Sequence, residues 1–135
     1  MVLVGRVATG SGDLKRWMTL YADAYATAVG APLYPGSLNV VLEEPWLLPP
    51  DRLSVPAEAV GRLIHLVLCL VGARRCFILR TDMADRAGGG EHRILEIVSD
   101  VRLRDDLGVN DGDLMEVVVG DPVESQGGGG RRCRP

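Results

Sequence analysis

Residues 33–46, LYPGSLNVVLEEPW, combine a tight turn with the start of a strand. Pro35 and Gly36 are typical of the turn, since proline presets one backbone angle and glycine tolerates a positive one. Apolar residues then recur at every second position, and they are Leu38, Val40 and Leu42. This period of two predicts a strand over residues 37–43.

The other face of this strand begins with two polar side chains, the hydroxyl of Ser37 and the carboxamide of Asn39. Magnesium favours oxygen ligands and fills the rest of its shell with waters and substrate phosphates. Two neutral oxygens therefore suit a magnesium site only if a nucleotide supplies the anionic oxygens. Two interpretations stay open at this point. The two side chains are ordinary surface residues of an exposed strand, or they contact a metal or a phosphate.

Outward from this stretch, short strands dominate the chain. Before it, helical spacing and the cap residue Gly30 predict one main amphipathic helix at 17–29. After it, the prolines of EPWLLPPDRLSVP predict a broken connection with a short strand at 53–55. The runs AVGRLIHLVLCLV and RCFILRTD, joined by GARR, predict a hairpin, and MADRAGGGEHR predicts a flexible loop.

Two further strands are predicted at ILEIV and LMEVVV, with a short helical turn at VRLRDDLGV and a tight turn at NDGD between them. Several short strands, one main helix and no alternation of strands with helices predict a mostly β fold with α, built as a small closed barrel. At 135 residues the chain has the length of one domain. We place the barrel domain at 1–120 and predict a disordered tail at 121–135.

Composition and charge argue against several classes of protein. The formal charge of −3 argues against a nucleic-acid binder. The longest apolar run, LIHLVLCLVGA, is too short to span a bilayer, so no membrane association is expected. The three cysteines form no C-x-x-C pair, which favours reduced thiols over a disulfide framework or a zinc site. A cytoplasmic monomer is the expectation.

Four further features carry candidate chemistry, each beside a simpler reading. The segment TGSGDLK (9–15) is either a phosphate-binding loop or a plain link from strand to helix. Glu96, between apolar neighbours, is either a surface carboxylate or a group that accepts a proton from a substrate hydroxyl. The arginines of VRLR (101–104) either pair with the adjacent aspartates or contact phosphate. His92 lies in the predicted glycine-rich loop, where we expect it to be exposed and able to approach a ligand, although its spacing in the sequence does not indicate a site.

The order of these elements resembles the CTP-dependent riboflavin kinases, the archaeal-type family. Its most specific marks are YPGSLNVVL and LEIVSDVRLRDDLGVNDGDLMEVVV. The resemblance covers about residues 4–119 and is strongest at 30–42 and 94–119. It implies a six-stranded cradle-loop (RIFT-type) β-barrel that transfers a phosphoryl group from CTP to the terminal ribityl hydroxyl of riboflavin, giving FMN and CDP.

The resemblance also implies roles for individual residues. The magnesium ligands would be Ser37 and Asn39, and the residue that contacts the flavin and orients its hydroxyl would be Glu96, with His92 as a second substrate contact. The nucleotide would be bound by two segments, whose residues are Gly10, Ser11, Gly12, Asp13, Leu14, Lys15, Val101, Arg102, Leu103 and Arg104.

This chain departs from the family pattern in three places. Leu14 stands where the glycine loop has a further glycine, and its Cβ would narrow the approach of the backbone to a phosphate. Gly90 stands where a threonine contacts the flavin. Ser37 replaces the commoner threonine but keeps the hydroxyl. A kinase for another small alcohol, and a non-catalytic barrel that binds a nucleotide, a flavin or a partner protein, therefore remain alternatives.

Overall fold

A computed structural model describes residues 1–10, 13–47, 52–55, 63–81 and 91–120. Seven strands and three helices occupy these ranges. In chain order they are β1 (Val2–Ala8), α1 (Asp13–Leu20), α2 (Ala22–Val29), β2 (Leu38–Leu47), β3 (Leu53–Val55), β4 (Ile64–Val71), β5 (Arg74–Thr81), β6 (Glu91–Val98), α3 (Leu103–Leu107) and β7 (Leu114–Val119).

Six antiparallel strands close into a barrel, in the order β4-β5-β6-β2-β1-β7. Closure comes from β4, whose C-terminal half pairs with β7 through partners such as Val71 and Val117. The N-terminal half of β4 instead pairs with the short strand β3, which is the extra seventh strand. The predicted mostly β fold with a small closed six-stranded barrel is therefore confirmed, as is the short strand at 53–55.

The core has two layers, and this division decides where polar groups can lie. Alternate residues of the barrel strands fill the interior with aliphatic side chains, including Val40, Leu95 and Ile97. A second cluster packs Met18 and Tyr25, from the helices, against the outer face of β3, β4, β5 and the end of β6. The outer faces of β1, β2 and the rest of β6 lie outside this helical cover.

The predicted single helix at 17–29 is wrong in its detail. Helix α1 begins earlier, at Asp13, and the helix is interrupted at Tyr21, whose backbone angles (φ −113°, ψ 34°) are not helical. The rings of Trp17 and Tyr21 still stack with centroids 6.0 Å apart, so the aromatic stripe continues across the break. The aromatic residues therefore follow helical spacing in the sequence, although the backbone is not helical at Tyr21.

The strand predicted at 37–43 extends further, to Leu47, and takes in part of the predicted proline-broken connection. Its pairing with β6 shifts register between Val41 and Trp46. An irregularity of this kind accommodates Pro45, because a proline cannot donate a ladder hydrogen bond.

The remaining elements agree with the predicted order along the chain. The hairpin β4–β5 turns at Gly72, and α3 is the predicted helical turn. Cys69 and Cys76 face each other across this hairpin as buried free thiols. In the part of the chain that the structure describes, no helix is long and apolar enough to cross a membrane. The predicted tail at 121–135 lies outside the described residues, as does most of the predicted loop at 83–93.

Candidate active site

A cavity of about 500 Å³ opens on the outer face of the barrel, where β1 ends and β2 begins. The end of β6, the first turn of α1 and the start of α3 complete its wall. Ten of the predicted site residues line it, and they are Gly10, Leu14, Lys15, Ser37, Asn39, Glu96, Val101, Arg102, Leu103 and Arg104. Segments far apart in the sequence thus meet at one place.

Ser37, the residue just before β2, lies beside Asn39, which is on the outer face of that strand. The Ser37 Oγ donates a hydrogen bond to the Asn39 Oδ1 at 3.0 Å. Adjacent ligands of an octahedral Mg²⁺ with bonds of about 2.1 Å are also about 3 Å apart. The two oxygens therefore have the spacing of neighbouring Mg²⁺ ligands. A hydroxyl oxygen and an amide oxygen are also of the type that this metal favours.

The protein supplies few anionic oxygens for a metal here. Among the described residues, no group of three or more histidine, cysteine, aspartate or glutamate side chains is placed to hold a metal ion. A cation bound at Ser37 and Asn39 would need anionic oxygens from a ligand, as Mg²⁺ bound with substrate phosphates does.

Glu96 lies on β6 directly opposite Asn39, in register with it across the β2–β6 pair. Its other cross-strand neighbour is Leu79, which is buried under the helices. Because Glu96 stands at the edge of this apolar cover, burial raises the pKa of its carboxyl above the ordinary value. A half-buried carboxylate with a raised pKa, facing a cavity, is suited to accept a proton.

Cationic side chains ring the cavity in spite of the chain's net negative charge. Lys15 enters from α1, and Arg102 and Arg104 enter from the segment before and within α3. The only carboxylate among the lining residues described is Glu96. These cationic groups offer contacts to an anionic ligand, which the overall charge of −3 does not suggest.

The two arginines have different ion-pair partners. Arg102 pairs with Asp105 at 2.6 Å, within the DD pair that follows it. Arg104 instead reaches back to Asp111, its Nη2 lying 2.8 Å from the Asp111 Oδ1 and 3.4 Å from the Ala8 carbonyl oxygen. The expectation of pairing with the adjacent aspartates holds for the first arginine only.

Asp111 also accepts a hydrogen bond from the Thr9 Oγ1, at 2.7 Å. The bond from Thr9, followed by that from Arg104, lowers the pKa of Asp111. The carboxylate thereby joins the end of β1, the turn before β7 and the arginine at the cavity. Sequence reasoning missed both Thr9 and Asp111, although each lies in a segment that it singled out, TGSGDLK and NDGD.

The predicted loop at 9–15 is shorter in the structure than the sequence suggested. Its last three residues form the first turn of α1, while residues 11 and 12 lie outside the described ranges. A Cβ at Gly10 would collide with the Asn39 carboxamide, so this glycine allows the backbone to pass over the asparagine. Leu14 packs against the helical cluster while also lining the cavity, since it lies in a helix rather than in a loop.

His92 lies in β6, paired with Trp46, and not in the loop where we expected it. Its backbone lies four positions before Glu96 on the same strand, which corresponds to about 13 Å. Its predicted contact with a substrate stays a prediction.

Comparison with known proteins relates most of the barrel to one family. The family model CTP-dep_RFKase, described as "Domain of unknown function DUF120", matches residues 7–119. The riboflavin kinase of Staphylothermus marinus is 24% identical over 124 residues, which is 88% of this chain and 92% of that protein.

Two longer relatives show the same similarity over part of their length. The riboflavin kinase of Methanocella arvoryzae is 30% identical over 87% of this chain and 56% of that protein. The riboflavin kinase of Pyrobaculum calidifontis is 34% identical over 87% of this chain and 59% of that protein. The chain thus spans nearly all of the first relative and less than two thirds of these two.

Proposed function

We propose that this chain, which belongs to the family of CTP-dependent riboflavin kinases, is a phosphotransferase that phosphorylates riboflavin. CTP is the proposed donor and the terminal ribityl hydroxyl is the proposed acceptor. The hydroxyl oxygen forms a bond to the γ-phosphorus of CTP, the bond from that phosphorus to the β,γ-bridging oxygen breaks, and CDP leaves. The hydroxyl proton passes to a base, and FMN is the product.

One observation carries this proposal above the others. Asn39 and Glu96 are directly opposed across two strands, with the Ser37 hydroxyl 3.0 Å from the asparagine oxygen, in a cavity that Lys15, Arg102 and Arg104 surround. Phosphoryl transfer depends on positioning and on neutralising phosphate charge, with little covalent chemistry for the protein. A cationic cavity that holds paired oxygen ligands beside a carboxylate fits these needs.

We assign the nucleotide phosphates to the cationic part of the cavity. Lys15 and the backbone around Gly10 would bind them from one side, and Arg102 and Arg104 from the other. The ion pair of Arg104 with Asp111 fixes the direction of its guanidinium, so that less side-chain entropy is lost when a phosphate binds. The choice of CTP over other nucleotides rests on the family alone.

We assign magnesium to Ser37 and Asn39, whose oxygens have the spacing that the ion requires. A bound magnesium ion would offset the phosphate charge in the transition state. The role of the protein is to hold the two oxygens in place, and the collision expected from any Cβ at Gly10 shows how closely the Asn39 carboxamide is packed.

We assign the attacking hydroxyl to Glu96, which would orient it and take its proton. Glu96→Gln keeps the shape and removes the basic oxygen, so we expect kcat to fall by about 10²-fold. Because the base must be ionised, wild-type activity should decline as the pH falls through the raised pKa of Glu96, at a higher pH than for an ordinary glutamate. Initial rates of FMN formation from pH 4 to 8 measure both effects.

Glu116→Gln provides the matched control, because Glu116 is an exposed glutamate on β7 that does not line the cavity. It should leave the rate and the pH profile unchanged. If Glu96→Gln keeps full activity, and its activity declines at low pH as that of the wild type does, the assignment of Glu96 as the base is excluded.

The function itself is tested by separating FMN from riboflavin after incubation of the protein with riboflavin, Mg²⁺ and either CTP or ATP. We expect FMN with CTP, little or none with ATP, and none when EDTA removes the metal. No FMN with either donor, together with CTP binding in calorimetry, would contradict riboflavin as acceptor and favour the alternative of another small alcohol. No binding of CTP would contradict the nucleotide site as well.

A further inference from the structure

One carboxylate, that of Asp111, holds two segments of the candidate active site at once. Its Oδ2 accepts a hydrogen bond of 2.7 Å from the Thr9 hydroxyl, and its Oδ1 accepts one of 2.8 Å from the Arg104 Nη2. Thr9 and Arg104 both line the cavity, and they come from opposite ends of the chain. Each oxygen of the carboxylate therefore serves a different segment of the site.

The turn that carries Asp111 is fixed to β1 through the backbone. The Gly112 N–H donates to the Val7 carbonyl oxygen at 2.7 Å, and the Val7 N–H donates to the Asp113 carbonyl oxygen at 2.9 Å. Within the turn, the Asn110 N–H donates to the Asp113 carboxylate at 2.8 Å. None of these bonds uses the Asp111 side chain, so the turn holds that side chain in place and should keep its shape when the side chain is changed.

Arg104 is held at one nitrogen of its guanidinium group. Its Nη2 donates to Asp111 and, at 3.4 Å, to the Ala8 carbonyl oxygen. Within the part of the chain that the structure describes, the Nε and Nη1 groups of Arg104 make no hydrogen bond. The contact with Asp111 thus fixes the guanidinium while it leaves two donor groups for an anionic ligand.

Thr9 stands where β1 ends and the predicted phosphate-binding segment begins. Ala8, just before it, pairs with Asn39, and a Cβ at Gly10, just after it, would collide with the Asn39 carboxamide. A shift of Thr9 would therefore move the backbone that passes over one of the two oxygens assigned to magnesium. The hydrogen bond to Asp111 restrains the chain at this point.

We propose that Asp111 is a positioning residue that sets the affinity of the cavity for the nucleotide phosphates, because it orients Arg104 and fixes the start of the phosphate-binding segment through Thr9. Groups that are already held in their binding positions lose less conformational entropy when the ligand arrives. This inference rests on the proposed function for the identity of the ligand, and it assigns Asp111 no contact with that ligand.

Two effects of the Asp111 carboxylate on phosphate binding oppose each other. Its negative charge repels a phosphate, whereas its hydrogen bonds place Thr9 and Arg104. The Asp111 side chain is 57% exposed, so water and salt screen the repulsion. The two short hydrogen bonds depend on direct contact and are screened less, so we expect the loss of positioning to outweigh the loss of repulsion.

Asp111→Asn tests this balance, because it keeps the size of the side chain but leaves one acceptor oxygen for two donors. We expect the Kd for CDP, measured by calorimetry with Mg²⁺ present, to rise by about tenfold. Thr9→Val removes the other hydroxyl partner and should raise this Kd by about threefold. Thr9→Ser keeps the hydroxyl and should restore the affinity that Thr9→Val loses.

A background without the guanidinium separates positioning from a general loss of structure. In Arg104→Ala, the Asp111 carboxylate has only Thr9 left to place, so Asp111→Asn should weaken CDP binding there by about threefold rather than tenfold. An equal loss in both backgrounds would overturn the positioning role. Binding of CDP by Asp111→Asn that is as tight as that of the wild type, or tighter, would overturn it as well.

Asp23→Asn is the matched control, because Asp23 is an exposed aspartate in the first turn of α2, whereas α1 and α3 are the helices that contribute to the described cavity wall. It should leave CDP binding unchanged. Weaker binding by Asp111→Asn, with no FMN from the wild type, would support the positioning role and contradict the proposed function alone. No binding of CDP by the wild type would overturn the positioning role together with the nucleotide site.

Discussion

Replacing Asn39 with alanine is expected to lower the magnesium-dependent kcat for FMN formation by at least about 10²-fold. The substitution removes the Oδ1 atom that lies 3.0 Å from the Ser37 hydroxyl, and with it one of the two neutral oxygens assigned to the metal. It also leaves the space over Gly10 unfilled, where the carboxamide now packs. Initial rates as a function of Mg²⁺ concentration measure the effect.

The fold should survive this change, because Asn39 faces outward from the barrel and the interior cluster does not include it. Asn110→Ala is the matched control, since Asn110 is an exposed asparagine in the turn before β7. That variant should keep wild-type kcat and wild-type dependence on Mg²⁺. Wild-type turnover by Asn39→Ala, with the same dependence on Mg²⁺, would refute the metal assignment.

The largest expected loss of stability follows from adding a single methyl group to β1. Gly5 is buried between β2 and β7, paired with Leu42 and Met115. A Cβ at this position would collide with the backbone carbonyl of Val41 and with the Val40 side chain. Because a backbone atom in a closed barrel cannot easily move, we expect Gly5→Ala to lower the free energy of unfolding by about 3 kcal/mol.

Gly30→Ala offers a comparison in which a different mechanism acts. Gly30 caps α2 with a positive φ of 85°, and its Cβ would meet open space. The cost there is the left-handed backbone alone, about 1–2 kcal/mol. Urea unfolding of both variants, with unchanged m-values, shows which substitution lowers the free energy of unfolding more. A smaller loss for Gly5→Ala than for Gly30→Ala would show that β1 can move away from β2.

Much of the barrel could be predicted from local patterns, because strand periodicity is a property of neighbouring residues. The period of two at Leu38, Val40 and Leu42 predicts which side of β2 is buried, and the structure confirms it. The break at Tyr21 could not be predicted, since the aromatic spacing runs through it without a glycine or a proline. The extension of β2 past Pro45 depends on a register shift against β6, which is a tertiary property.

The candidate site was predictable where its residues stand in short, ordered motifs, and less so where it depends on contacts between distant segments. Ser37, Asn39 and Glu96 were identified from such motifs, and the register of β2 against β6 places the last two opposite each other. Thr9 and Asp111 are 102 positions apart in the sequence, and the pairing of β1 with β7 brings them together. No local pattern signals a carboxylate that joins two such segments to Arg104.

The central claim is that this cavity transfers the γ-phosphate of CTP to riboflavin. The most direct test follows that phosphate: CTP labelled at the γ position is incubated with riboflavin, Mg²⁺ and the protein, and the products are separated. We predict label in FMN in step with the CDP formed, and none in FMN with Asn39→Ala. Label that stays in CTP or appears only as inorganic phosphate, under conditions in which the wild-type protein is folded and binds CTP, would contradict the claim.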